Sequence, residues 1–346
     1  MSNLTGGDGS NSTECLGIDD FRNRVYSTSY SLITVLGLLG NGFALVVLIK
    51  TNHQSSPFHI YMLNLAVSDL LGVASLPLRV LYYVNKGQWN QGDFLCRIVS
   101  YSLYVNLYCG IYFMAAMSVT RFVAIVFPVQ NMRLATQTRA RLVCCGIWVF
   151  ICLISSPFLM SGEEYDPVTN KTKCFEPPSV NGAGVPRLVM LNCVSMVVGF
   201  SLPFLVILLC YAGIIRALLS RSNSARRQCG TSARAIRMIV IVLLTFLISF
   251  APYHVQRTIH LNFLSRTDTT CSEQEAMQKS VVVTLCLAAS NSCFDPLLYF
   301  FSGEGFRTRL SSMRKTAQGS PLNRVARIKP VSVSECADNR QPGQAS

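Results

Sequence analysis

Two arginines stand where arginine is expensive. Arg79 falls inside an otherwise apolar run, and Arg257 sits five residues past Pro252 at the end of another. An arginine side chain stays charged and grips a carboxylate through two parallel hydrogen bonds. The ordinary alternative for a lone arginine there is a stem buried in lipid with its head at the interface. Their company favours a pocket. Tyr101, Tyr104 and Tyr108 recur on one helix face, and Tyr253 and His254 stand next to Arg257. Apolar-aromatic walls with cationic corners suit an amphipathic anion: a lipid carboxylate, a nucleotide or an acidic peptide.

A second constellation is uncharged or acidic. Asn41 lies in Gly-Asn-Gly, Asp69 ends Leu-Ala-Val-Ser-Asp, and Asn291 and Asp295 are one helical turn apart. Polar groups inside apolar runs are costly, and the bland explanation is packing between helices. Four of them on three runs predict a buried polar cluster with a structural and switching role. Two carboxylates brought close together hold a cation or share a proton. No metal-ligand cluster, nucleophile elbow or phosphate-binding loop is present, so neither an enzyme nor a cofactor is expected.

The elements that must position these residues are long apolar helices. The chain has 346 residues, 50% of them hydrophobic and 14% charged, against about 25% charged in a soluble domain. That composition excludes a disordered chain, and 14 Cys over this length are too dilute for a disulfide-built mini-protein. Ser27 to Ile49 contains no charge and exceeds the ~20 residues a helix needs to cross a bilayer core. Similar runs follow at Ile60–Val84, Ile98–Thr120, Leu142–Met160, Leu188–Ile215, Met238–Gln256 and Ser280–Phe301. Backbone groups in lipid must bond within their own segment, so each run is helical. The expected fold is an all-α membrane protein, a seven-transmembrane helix bundle over 26–302 with a short amphipathic cytoplasmic helix at 303–315. Residues 1–25 form an extracellular glycosylated N-terminus and 316–346 a disordered cytoplasmic tail. Pro77, Pro157, Pro203, Pro252 and Pro296 each remove a helix bond and permit a kink.

Charge orients the bundle. One set of connecting segments carries 19 of the 30 Lys and Arg against three acids, Glu304, Glu335 and Asp338. The positive-inside rule makes that set cytoplasmic and the N-terminus extracellular. Three Asn-x-Ser/Thr sequons, at Asn3, Asn11 and Asn170, all fall on the opposite side. The net charge of +13 therefore faces anionic lipid and cytoplasmic partners, not nucleic acid. Residues 220–232 read as a solvated basic linker, and no internal repeat of the transporter kind appears. Eight cysteines lie inside the runs and read as small packing residues. Cys15, Cys96, Cys174 and Cys271 lie on the oxidising side, where four cysteines allow three pairings.

Several motifs together carry a resemblance. Gly40-Asn41, Leu-Ala-Val-Ser-Asp at 65–69, Cys96, Arg121 at the inner end of the third run, Trp148, Pro203, Pro252 and Asp-Pro-Leu-Leu-Tyr at 295–299 resemble the rhodopsin-like G-protein-coupled receptors. The match covers about 25–315. Phe-Pro-Val-Gln-Asn at 127–131, Lys-Cys-Phe-Glu-Pro-Pro at 173–178 and Pro-Tyr-His-Val-Gln-Arg-Thr-Ile-His-Leu at 252–261 resemble, within that class, the cysteinyl leukotriene receptors. The resemblance implies disulfides Cys96–Cys174 and Cys15–Cys271. It implies a cysteinyl leukotriene ligand touching Arg79, Tyr104, Tyr108, Tyr253 and Arg257, with Arg22 and Tyr26 near the mouth. It also implies residence in the plasma membrane, coupling to Gq/11 and calcium release, and arrestin, receptor kinases and membrane lipid as further partners.

The chain departs from the receptor pattern in five places. Thr120 replaces the acid before Arg121, Phe122 the tyrosine after it, Phe250 the sixth-helix tryptophan, and Asp295 an asparagine, while Gly110 stands where a sodium-binding hydroxyl is usual. These changes argue against a sodium site and for a differently built inactive lock. The expected switch has two states. Ligand carboxylates pair with Arg79 and Arg257 and draw helices 2, 3 and 6 together. Helix 6 pivots at Phe250 and Pro252, the Asp69–Asp295 cluster with Asn41 and Asn291 repacks around Tyr299, and Arg121 turns to the G protein. The rivals are a purinergic-type nucleotide receptor, which shares His254-x-x-Arg257, and a transporter or channel. A retinal protein is excluded by Ala288 and Ala289 at mid-helix, where it would need a lysine.

Overall fold

The protein is described by a computed structural model over residues 18–50, 56–160, 162–167, 169–175, 185–220, 229–264 and 270–302. Its helices are α1 (Ile18–Lys50), α2 (Pro57–Val84), α3 (Asp93–Val126), α4 (Pro128–Leu134), α5 (Gln137–Ser155), α6 (Val185–Val194), α7 (Leu202–Ser220), α8 (Cys229–Thr245), α9 (Ala251–Leu264), α10 (Cys271–Ala289) and α11 (Asn291–Ser302). Among the described residues they build seven helices long and apolar enough to cross a membrane, the last four spans being Gln137–Met160, Leu188–Ser220, Ala235–Phe263 and Cys271–Phe301. The seven apolar runs thus become seven spans. The first helix starts at Ile18, well before the charge-free stretch. The expected surface helix, the tail, Asn3, Asn11 and Cys15 lie outside the described residues.

Local chemistry starts and stops the helices. Ser56 accepts a bond from the His59 N–H at 3.3 Å and Pro57 takes the first helical position of α2, where its missing donor costs nothing. Thr136 caps α5 in the same way. Thr270 and Glu273 form a reciprocal capping box on α10. α8 begins at Cys229, so the last residues of the stretch read as a basic linker are helical.

The fifth and sixth spans are not continuous α-helix. Each contains a π-helical segment, Ser195–Ser201 between α6 and α7 and Phe246–Phe250 between α8 and α9. The cause lies in the prolines that follow. Pro203 and Pro252 have no N–H to give the carbonyls four residues back, at Gly199 and Ile248, and both carbonyls lie inside the π segments. The wider turn resets the hydrogen-bond register instead of breaking the span. The seventh span breaks differently, at Ser290, which separates α10 from α11.

α3 is the axis of the bundle: Cys96, Cys109, Ile111, Phe113, Met114 and Ser118 are fully buried along its length. It packs on α2, α5 and α7. The outward faces are apolar. On α1, Leu32, Val35, Leu39, Phe43 and Val46 are exposed at spacings of three and four, a lipid-facing stripe. With lipid outside, apolar burial contributes little to association, and close packing and polar bonds between helices hold the spans together. One such bond runs from Trp148 Nε1 to Asn64 Oδ1 at 3.0 Å. Four of the eight intramembrane cysteines, Cys109, Cys144, Cys210 and Cys286, are buried as expected, whereas Cys145 and Cys193 are exposed on the outside of the bundle.

A short hairpin covers the outer end. β1 (Glu164–Asp166) pairs antiparallel with β2 (Lys171–Lys173), Tyr165 opposite Thr172. The Trp89 N–H donates to the Thr172 carbonyl at 2.8 Å, tying the loop between α2 and α3 to the hairpin. The Cys96–Cys174 disulfide fixes the end of β2 to the top of α3. Cys271 is disulfide-bonded as well, and Cys15, the partner the resemblance implies, lies outside the described residues.

Candidate functional site

The two arginines occupy separate corners of the outer half. Arg257 on α9 donates from Nη1 to the Tyr253 hydroxyl at 2.8 Å. Its guanidinium carbon lies 5.8 Å from the Tyr104 ring centroid and 5.7 Å from that of Phe158. Tyr104 and Phe158 stack at 3.6 Å. Tyr108 is buried beneath, its hydroxyl 2.7 Å from Ser195 Oγ on the fifth span. Tyr101 turns away and donates to the Cys152 carbonyl at 3.0 Å, so two of the three tyrosines expected on the pocket face of α3 reach the arginine corner. His254 is buried against Phe200, ring centroids 4.9 Å apart.

Arg79 belongs to the other corner. It is 3% exposed, and its guanidinium carbon sits 4.1 Å above the ring of Phe175. Beside it Tyr26 stacks on Tyr30 at 5.1 Å and meets Tyr83 at 4.6 Å. Arg22 forms an ion pair with Asp19 at 2.9 Å above this aromatic wall. No side chain named here touches both Arg79 and Arg257. Among the described residues neither has a carboxylate partner, and no hydrogen bond reaches Arg79 Nε. Two cations in a low-dielectric setting without counter-ions call for an anion from outside.

The deep cluster forms as the sequence anticipated, and it is larger. Asp69 Oδ1 accepts from Asn106 Nδ2 and from Ser292 Oγ, each at 3.0 Å. Asn41 Nδ2 donates to the Ser292 carbonyl at 2.7 Å. Asn291 Oδ1 accepts the Ser292 N–H at 2.8 Å. Asp295 lies against Asp69, and Tyr299 is close to both. Among the described residues no hydrogen-bond partner reaches Asp69 Oδ2, either oxygen of Asp295, or the Tyr299 hydroxyl. All these residues are buried. Asn106 and Ser292 were not picked out from the sequence, although Asn106 is the one amide of its apolar run. A β-carbon on Gly110 would lie 2.9 Å from Asn291 Nδ2, so the end of the Asn291 side chain fills the space beside Gly110 and would have to shift to admit a larger residue there. Among the described residues no group of three or more His, Cys, Asp or Glu gathers to hold a metal.

Below the cluster, Thr120 donates to the Ala116 carbonyl at 2.8 Å, and the Arg121 guanidinium carbon lies 4.0 Å over the Phe58 ring. An aromatic face thus takes the place beside Arg121 that an acid has in the usual pattern. Phe250 is fully buried two residues before Pro252, packed edge-on to Phe246 at 5.2 Å.

A lidded, aromatic-walled outer site above a buried polar spine in a seven-helix bundle defines a seven-transmembrane receptor. Residues 40–299 match the family described as 7 transmembrane receptor (rhodopsin family). Cysteinyl leukotriene receptor 1 of Homo sapiens is 58% identical over 303 residues, 88% of this chain and 89% of that one. The Mus musculus receptor of that name is 57% identical over 88% of this chain and 85% of its own length. Cysteinyl leukotriene receptor 2 of Homo sapiens is 38% identical over 93% of this chain and 90% of its own. The chain belongs to the rhodopsin family of seven-transmembrane receptors, in its cysteinyl leukotriene receptor branch, and these are receptors, not enzymes.

The Tyr253–Arg257 bond yields a first prediction. Tyr253→Phe keeps the ring and removes the acceptor that aims the guanidinium. Affinity for an anionic ligand is expected to fall about fivefold, the worth of one net hydrogen bond of ~1 kcal/mol, and saturation binding on membranes measures it. Unchanged affinity would mean that Arg257 is aimed by its aromatic neighbours alone.

Proposed function

We propose that the protein is a plasma-membrane receptor for cysteinyl leukotrienes, leukotriene D4 foremost, that signals through Gq/11 to phospholipase C and calcium. One observation carries this: two separated cations, Arg79 and Arg257, lack carboxylate partners among the described residues and are walled by aromatic rings. A cysteinyl leukotriene has a fatty-acid carboxylate, a conjugated lipid tail and a thioether-linked peptide with its own carboxylate. Its two acidic ends match the two corners, and its lipid tail suits their aromatic walls. The relatives' names support the same ligand.

In this reading the N-terminus is extracellular and glycosylated at Asn3 and Asn11, with a third glycan at Asn170, an exposed residue at the hairpin turn. The basic segments face the cytoplasm, with 303–315 on the inner leaflet and the tail open to receptor kinases and arrestin. Ligand bound at both corners draws the outer ends of α2, α3 and α9 together. The π segment and Pro252 let the sixth span pivot, the Asp69–Asp295 cluster repacks, and Arg121 leaves Phe58 for the G protein.

The test is calcium mobilisation in cells expressing the chain, with leukotriene D4 against ATP, UDP and UTP. A response to leukotriene D4 alone is expected. A response only to nucleotides would transfer the site to the purinergic reading, and silence toward all four, with receptor at the surface, would reject both.

A further inference from the structure

Phe175 has an unusual backbone. Its φ is +65°, in the left-handed region that a bulky side chain occupies only when its surroundings impose it. The imposing groups can be named. Cys174, the preceding residue, is bonded to Cys96 at the top of α3. The Phe175 ring meets Tyr82 edge-on at 5.3 Å and Trp89 at 5.2 Å, and Trp89 is itself 1% exposed and hydrogen-bonded to the hairpin. The consequence is a ring laid on the Arg79 guanidinium at 4.1 Å.

A guanidinium has two kinds of surface. Its face attracts an aromatic ring, and its edge carries the N–H fork that binds a carboxylate in plane. A ring on the face fixes the plane of the group and leaves the edge available. Among the described residues the edge atom Arg79 Nε has no hydrogen-bond partner, and Arg79 is almost wholly buried. We propose that Phe175 is the positioning residue of the Arg79 subsite. Its ring, held in strained backbone by the disulfide and by Tyr82 and Trp89, orients the guanidinium so that its edge receives one carboxylate of the ligand.

The inference rests on the ligand assignment above, so its test separates the two. Radiolabelled leukotriene D4 binding is measured on membranes holding the full chain, with surface staining as the folding control. Phe175→Leu keeps bulk and loses the π face; affinity is expected to drop three- to tenfold. Phe175→Tyr restores it. Phe175→Gly, which relieves the backbone strain but lacks the ring, behaves like Phe175→Leu. Placed on Arg79→Gln, Phe175→Leu produces no further loss, whereas on Arg257→Gln its effect persists in full. Wild-type affinity for Phe175→Leu, or an undiminished loss on the Arg79→Gln background, overturns the positioning role and leaves the ligand assignment standing. Wild-type affinity for Arg79→Gln likewise overturns the Arg79 subsite, and only the absence of specific leukotriene D4 binding by the unmutated chain overturns the ligand assignment.

Discussion

Arg79→Ala and Arg257→Ala are each expected to weaken leukotriene D4 binding by about 30- to 150-fold. The figure follows from a buried charge-assisted pair worth ~2–3 kcal/mol, at tenfold per ~1.4 kcal/mol. The two losses should multiply in the double variant, because the corners share no contact: Arg79 sits against Phe175, and Arg257 among Tyr104, Phe158 and Tyr253. Independent sites add in free energy, and coupled ones do not. Lysine at either position keeps the charge but loses the planar fork, so partial recovery is expected. Competition binding at matched surface density measures all of these. A double variant no weaker than the worse single one would mean that only one corner meets the ligand.

How much of this was legible in the sequence depends on which physical rule fixed each feature. The seven spans were legible because a bilayer demands about 20 apolar residues per crossing. Asn41, Asp69, Asn291 and Asp295 were legible because lipid penalises polar groups wherever they point. Ser292 was not, since a serine can bond its own helix and carries no such penalty. The separation of Arg79 from Arg257 was also hidden. A π segment inserts a residue into the helical register and turns everything beyond it by ~100°, so the face that Arg257 presents cannot be counted off from α8. Tyr101, three residues from Tyr104, lies ~60° around α3 from it, far enough to meet Cys152. Phe175 was least legible of all. Nothing in Lys-Cys-Phe-Glu announces a left-handed phenylalanine, because the strain is imposed by a disulfide and two rings distant in sequence.

The deep cluster predicts the largest structural effect. Asp69→Ala is expected to abolish the calcium response and to lower surface receptor several-fold. Asp69 is wholly buried, and one of its oxygens takes an amide from α3 and a hydroxyl from α11. Removing it takes one acceptor from Asn106, at ~1–3 kcal/mol, and leaves the Ser292 hydroxyl only its longer contacts to Asn106 Oδ1 at 3.4 Å and Asn291 Oδ1 at 3.3 Å. In lipid the loss is moderated, since a loosened span finds other partners, so a diminished but measurable population should reach the surface. On that population the outer corners are intact, and leukotriene D4 should bind within about threefold of wild type. Binding without signalling is the signature expected if the cluster couples the two ends of the bundle, because Asp69 joins the second, third and seventh spans at one point. Asp69→Asn supplies the control. It retains one oxygen of the same reach, so both donors stay bonded and surface density should return to near wild type. It also replaces the group facing Asp295 and Tyr299 with an amide, so signalling should stay impaired. Surface staining paired with calcium mobilisation distinguishes the cases, and a normal calcium response from Asp69→Ala at matched density would show that the spans communicate by another route.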